Sequence, residues 1–200
     1  MPFFEYGQKE MECLKRKDKR LGEAIEKIGM IQREILPDPF TALISSVVSQ
    51  QISNKAAATV WSRLTTLLGS ITPECIAQVD QSAIQGCGMS VRKAGYIKGI
   101  ADAAMNGTVD FANLHTFQDE EIIKKLSSLH GVGIWTAEML LIFSLSRPDV
   151  VSYRDLAICR GMMNLYGLKD LSKEKFERYR KRYSPYGSIA SLYLWQLSLD

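Results

Sequence analysis

The run Leu129-His130-Gly131-Val132-Gly133-Ile134-Trp135-Thr136-Ala137-Glu138, followed downstream by Asp155, carries the densest chemical information in the chain. Two glycines spaced i, i+2 precede a helix-forming stretch. They allow a sharp turn and bring backbone N–H groups to a helix N-terminus, where unpaired donors and the helix dipole attract a phosphate. Asp155, one helix further on, would set a carboxylate beside a nucleic-acid backbone held there. Blander readings stand next to these. A glycine pair before a helix is often only a tight turn. Asp155 suits the N-cap of a helix beginning at Leu156, and on residue type alone the cap is favoured.

The elements that must position these residues read as helical almost throughout. Met11, Leu14, Leu21, Ile25 and Ile28 recur at helical spacing and predict a helix over 8–28. Pro37-Asp38-Pro39 breaks the chain. An apolar segment follows at 40–51, then an amphipathic helix over 53–68. Thr72 before Pro73 marks another helix start. Gly86-Cys87-Gly88 interrupts, Ser90 caps a helix to about Ala104, and Asn106-Gly107 ends it. Helices at 118–127, 134–145, 155–166, 172–182 and 188–199 complete the pattern. Val150-Val151 is too short for a strand, so an all-α fold of roughly nine or ten helices is expected.

Composition narrows the function classes. The 200 residues are 46% hydrophobic, which suits one domain or two intimate lobes. No apolar run reaches the ~20 residues of a membrane helix, and the start Met1-Pro2-Phe3-Phe4 lacks a secretory pattern. The four cysteines Cys13, Cys75, Cys87 and Cys159 form no C-x-x-C pair, so no zinc or iron–sulfur site is implied. Reduced thiols and a cytoplasmic protein are expected, nucleoid-associated in a bacterium. Net charge is only +3, yet basic residues cluster at 9–20 and 173–182. Each cluster is either a solvated helix face or a surface for a polyanion.

Five segments in order resemble the helix–hairpin–helix DNA glycosylase superfamily, and within it the 3-methyladenine DNA glycosylase II group. They are Ser49-Gln50-Gln51-Ile52-Ser53, Gly88-Met89-Ser90-Val91-Arg92-Lys93-Ala94, the hairpin 129–138, Asp155-Leu156-Ala157-Ile158-Cys159-Arg160, and Pro185-Tyr186-Gly187-Ser188 leading to Trp195. The resemblance implies a two-lobed all-α fold with the active cleft between the lobes. Residues 1–38 would pack with the C-terminal lobe, 39–115 would form the lobe with the base-gap wedge, and 116–200 would carry the hairpin and catalytic aspartate. It implies that amides at Gly131 and Gly133 hold a DNA phosphate, with Ser90 at a second backbone contact. Gln51 fills the gap left by an extruded nucleotide. Asp155 drives cleavage of the N-glycosidic bond by stabilising an oxocarbenium-like sugar or orienting water. Trp135 and Trp195 flank a flipped base, and an alkylated purine's positive charge favours an aromatic face. Met139 and Leu156 occupy pocket positions that are aromatic in some relatives.

Trp135 also stands where strand-nicking relatives carry a nucleophilic lysine. That argues for a monofunctional hydrolase that leaves an abasic site, and the resemblance implies base-excision repair of alkylated purines in double-stranded DNA. No cofactor is expected beyond a monovalent cation at the hairpin, which the resemblance implies on the backbone carbonyls of Ser127, Leu129 and Val132. A monomer without membrane association is expected. The rivals are a glycosylase for oxidised or deaminated bases, and a non-catalytic helix–hairpin–helix DNA-binding module. Three departures stand out: His130 where the family usually has proline, Gly187 where it often has arginine, and Arg154 before the aspartate.

Overall fold

The computed structural model describes residues 2–199. Its helices are α1 (Gln8–Lys17), α2 (Lys19–Ile28), α3 (Pro39–Ser49), α4 (Asn54–Leu68), α5 (Pro73–Gln78), α6 (Gln81–Gly86), α7 (Val91–Met105), α8 (Asp119–Ser127), α9 (Ile134–Phe143), α10 (Leu156–Tyr166), α11 (Lys173–Tyr183) and α12 (Gly187–Leu197). Among the described residues there is no strand beyond an isolated bridge between Phe3 and Glu34. The all-α expectation therefore holds, with more and shorter helices than expected.

Side-chain caps set most of the helix starts. Asp38, Ser53, Thr72, Ser90 and Ser172 each accept from the amide three residues on, at α3, α4, α5, α7 and α11. Two expectations need correction. The helix foreseen over 8–28 is two helices, because Asp18 leaves helical geometry (φ −142°, ψ 109°) and caps α2 by accepting from Leu21 N at 3.0 Å. This buried carboxylate also accepts from Tyr166 Oη at 2.7 Å and Arg182 Nη1 at 3.1 Å. Second, the helix started by Thr72 ends at Gln78, and a further helix, α6, fills the stretch up to the interruption at Gly86-Cys87-Gly88.

The chain divides into two compact units. One joins Met1–Ile35 to Leu141–Asp200, and the other is Leu36–Leu140. The boundary therefore falls between Leu140 and Leu141, inside α9, and not at 115/116, and the hairpin groups with the 36–115 segment. Two contacts hold it there: Gly131 packs directly under Tyr96 of α7, and its carbonyl accepts from Gln50 at 3.0 Å.

In the Leu36–Leu140 unit, α7 is the central post. Ala94, Ile97, Ile100 and Ala101 are buried on it, opposite Leu43, Ile44 and Val47 of α3, Ile76 of α5 and Ile84 of α6. In the other unit α10 lies against α12 at unusually short range. A Cβ at Gly161 would stand 1.9 Å from the Leu194 carbonyl oxygen, so only glycine permits the contact. Residues Gly187 to Leu194 of α12 are all buried.

Candidate active site and nucleic-acid interface

Asp155 sits at the end of a pinned segment. Ser188 Oγ, at the start of α12, donates to Arg147 O at 2.5 Å and accepts from Val150 N at 3.0 Å. Ser191 Oγ donates to Val150 O at 3.0 Å. Asp149 accepts from Gly187 N at 3.0 Å and Ser184 Oγ at 2.7 Å. A Cβ on Gly187 would lie 2.6 Å from the Asp149 carboxylate and 2.7 Å from the Val151 side chain, so a larger residue at this departure would have to displace them. The motif Pro185-Tyr186-Gly187-Ser188 thus anchors the strip that delivers Asp155.

At the strip's end Asp155 turns into α10. Its amide donates to Ser152 O at 3.3 Å, and its Oδ1 accepts from Ala157 N at 2.9 Å and Ile158 N at 3.0 Å. The residue is 7% exposed. Asp155 is therefore an N-cap as its residue type suggests, and the two amides fix its carboxylate at the positive end of α10. Cys159 lies one turn on, donating its thiol to Tyr153 O at 3.2 Å. Burial, and then the negative charge of Asp155, push that thiol up and leave it protonated at neutral pH.

Leu156, next to the carboxylate, is 81% exposed, an unusual position for a leucine. Arg154 and Arg160 are also exposed. Trp195 is half-buried on α12, the helix that packs along α10, and tilts against Phe143 at 5.3 Å between ring centroids. The Arg33 guanidinium lies 5.0 Å over the Phe143 ring. Neither Phe143 nor Arg33 stands out in the sequence.

The second group of residues lies in the Leu36–Leu140 unit. After α8, Leu129 N bonds Leu126 O and Val132 N bonds Leu129 O, both at 3.1 Å, closing the turn. Gly131 holds φ +84°, and a Cβ there would lie 2.2 Å from the Tyr96 ring. Gly133 is different. Its backbone is unstrained, nothing lies within 4 Å of an added Cβ, and its carbonyl accepts the first bond of α9 from Ala137 N at 3.1 Å. It occupies the N-cap position without a side chain to fill it. Trp135, 40% exposed, and Met139, buried, lie one turn apart on α9.

Gln51 is exposed at φ +58°, just past the end of α3. Its neighbour Gln50 donates to Gly131 O. Ser90 is the exposed N-cap of α7 and accepts from Lys93 N at 3.2 Å. The Lys93 ammonium turns inward to Val48 O and Gln50 O. The structure therefore brings the hairpin and the Gln50-Gln51 turn together in one unit. It sets Asp155, Leu156 and Trp195 on two helices of the other. Gln50, Lys93 and Tyr96 are the residues a sequence reading misses: their roles depend on contacts tens of residues away.

The HhH-GPD superfamily model of base excision DNA repair proteins matches residues 44–185. DNA-3-methyladenine glycosylase 1 of Schizosaccharomyces pombe is 34% identical over 166 residues, covering 80% of this chain and 73% of the yeast protein. A crystal structure of DNA-3-methyladenine glycosidase from Bacillus halodurans is 36% identical, covers 99% of this chain and 93% of its own, and superposes with a TM-score of 0.88. The Schizosaccharomyces pombe 3-methyladenine DNA glycosylase in complex with abasic DNA is 31% identical, with 94% and 96% covered and a TM-score of 0.83. With the capped aspartate and the glycine hairpin at the matched positions, this chain belongs to the HhH-GPD superfamily of base excision DNA repair proteins.

Proposed function

We propose that this protein is a monofunctional DNA glycosylase that hydrolyses the N-glycosidic bond of alkylated purines, 3-methyladenine among them. The observation that carries this reading is Asp155: a buried carboxylate held by two amides at a helix start, in a chain similar over most of its length to 3-methyladenine DNA glycosylases.

The hairpin amides at Gly131 and Gly133 take a phosphate without reading sequence. Gln51, projecting beyond α3, occupies the space of the extruded nucleotide. The damaged base stacks on the face of an indole, whose π-electrons favour a cationic purine. As the C1′–N bond breaks, its electron pair leaves with the base. The cationic base departs neutral, which removes the need for an acid. Positive charge on the sugar is met by the Asp155 carboxylate, water adds at C1′, and its proton passes to the carboxylate or to solvent. With tryptophan rather than lysine at position 135, no Schiff base forms and the strand stays intact.

The carbonyls of Ser127, Leu129 and Val132 would hold a hairpin cation. They form a set of neutral oxygen donors, and the Leu129 carbonyl keeps a second lone pair beyond its bond to Val132 N. That set suits a hard monovalent ion, which would offset phosphate charge. No cluster of His, Cys, Asp or Glu among the described residues could hold a metal instead. No helix among them is long and apolar enough to cross a membrane.

The test is a panel of duplexes bearing one alkylated, oxidised or deaminated base each. Release of 3-methyladenine with an uncut abasic strand is expected. Release of only oxidised or deaminated bases would move the substrate class, and no release would leave a DNA-binding module.

A further inference from the structure

The last carbonyls of a helix have no intrahelical partner and must find other donors. At the end of α3 a lysine supplies them. Lys93 Nζ donates to Val48 O at 2.9 Å and to Gln50 O, bracketing the turn from which Gln51 projects. A cation is the favoured partner for a helix C-terminus. Lys93 is half-buried, and among the described residues no carboxylate pairs with it, so backbone carbonyls alone answer its charge. Burial accordingly pulls its ammonium below the usual lysine range.

Two further contacts extend the brace. Gln50 Nε2 donates to Gly131 O at 3.0 Å, which ties the turn to the hairpin. Tyr96 follows Lys93 by three residues on α7 and so lies on a neighbouring face. Its ring seats Gly131 so closely that no side chain fits there. One turn of α7 therefore holds the Gln51 turn through Lys93 and the hairpin through Tyr96, while Gln50 spans the two directly.

We infer that Lys93 and Gln50 are positioning residues that fix the spacing between the hairpin's phosphate grip and the Gln51 wedge, so that gripping the strand drives the wedge into the base stack. This rests on the proposed glycosylase function. It assigns neither residue a contact with the reacting atoms. A wedge set at the wrong distance fails to hold an extruded base. That failure costs most when the base must first be unpaired, since a mispaired base leaves the stack more easily.

The experiment is single-turnover release of one alkylated purine placed either in a normal pair or in a mispair, with full-length protein. Lys93→Met, which keeps chain length and removes the ammonium, should slow release from the paired duplex roughly ten- to hundredfold. The mispaired substrate should lose much less, and affinity for undamaged duplex should hold. Lys93→Arg should recover part of the rate. Gln50→Met removes only the cross-brace and should show the same paired-to-mispaired split if Lys93→Met does not fold. Lys98 donates to Ile76 O, Ala77 O and Val79 O, a similar clamp from α7 onto the end of α5. Lys98→Met should lower stability without changing the split. Equal losses on both substrates, or none, in both the Lys93 and Gln50 variants would overturn the inference while leaving the activity of the wild type intact. An inactive wild type would overturn the function and this inference with it.

Discussion

Two helix starts in this molecule solve the same problem in opposite ways. The first amides of α10 are met from within, by Oδ1 of Asp155 at 2.9 and 3.0 Å. The start of α9 has Gly133 at the equivalent position, with open space where a side chain would be. One terminus therefore brings its own anion; the other has no side chain that could, and the proposed function assigns it the phosphate of the DNA strand. The division of labour follows from the chemistry. A sugar turning cationic needs a fixed negative charge, whereas a DNA strand brings negative charge with it. The glycines at the second site are also unlike each other. Gly131 is demanded by the Tyr96 ring and by φ +84°, while nothing in the packing demands Gly133.

The largest stability effect should come from removing that first demand. Gly131→Ala puts a methyl group into the Tyr96 ring at an unfavourable backbone angle and should cost about 3 kcal/mol or more, read from the denaturant midpoint. Gly133→Ala should change stability by less than about 1 kcal/mol. Equal costs would erase the distinction between the two glycines. A sharper probe converts one helix start into the other. Gly133→Asp gives α9 its own cap, which should add about 1 kcal/mol of stability. The same carboxylate should weaken binding to undamaged duplex about tenfold, measured by fluorescence anisotropy at fixed salt. Unchanged affinity would mean that the phosphate is held elsewhere. The smallest effect concerns the far end of α10. Burial raises the phenols of Tyr166 and Tyr183 well above their ordinary value of 10.0. The unfolded chain ionises these groups first and binds fewer protons, so stability falls as pH rises. Between about pH 9.5 and 10.5 the loss should be roughly 0.7 kcal/mol per group, from chemical denaturation at each pH. A flat profile would contradict the burial of this cluster.

Much of this architecture is legible in the sequence because it is local. Ser53, Thr72, Ser90 and Asp155 announce helix starts by residue type, and each one caps. The glycine hairpin likewise declares a turn before a helix. What the sequence hides is set by distant partners. Asp18 splits the first helix because Tyr166 and Arg182, far along the chain, satisfy its buried carboxylate. Lys93 reads as surface charge because its partners are carbonyls some forty residues earlier. Residues 116–140 group with the preceding helices because of contacts by Gln50 and Tyr96, which no periodicity reveals. At Asp155 the sequence offers a cap or a catalyst, and the geometry gives it the first role.

Asp155→Asn separates those roles, because asparagine caps a helix about as well as aspartate and differs chiefly in charge. The decisive measurement is the single-turnover rate of 3-methyladenine release by this variant, taken with its affinity for the same duplex. The rate should fall by about two to three orders of magnitude while affinity and melting temperature stay near wild type. A variant that folds, binds and releases the base at the wild-type rate would show that the negative charge at the start of α10 serves the helix alone.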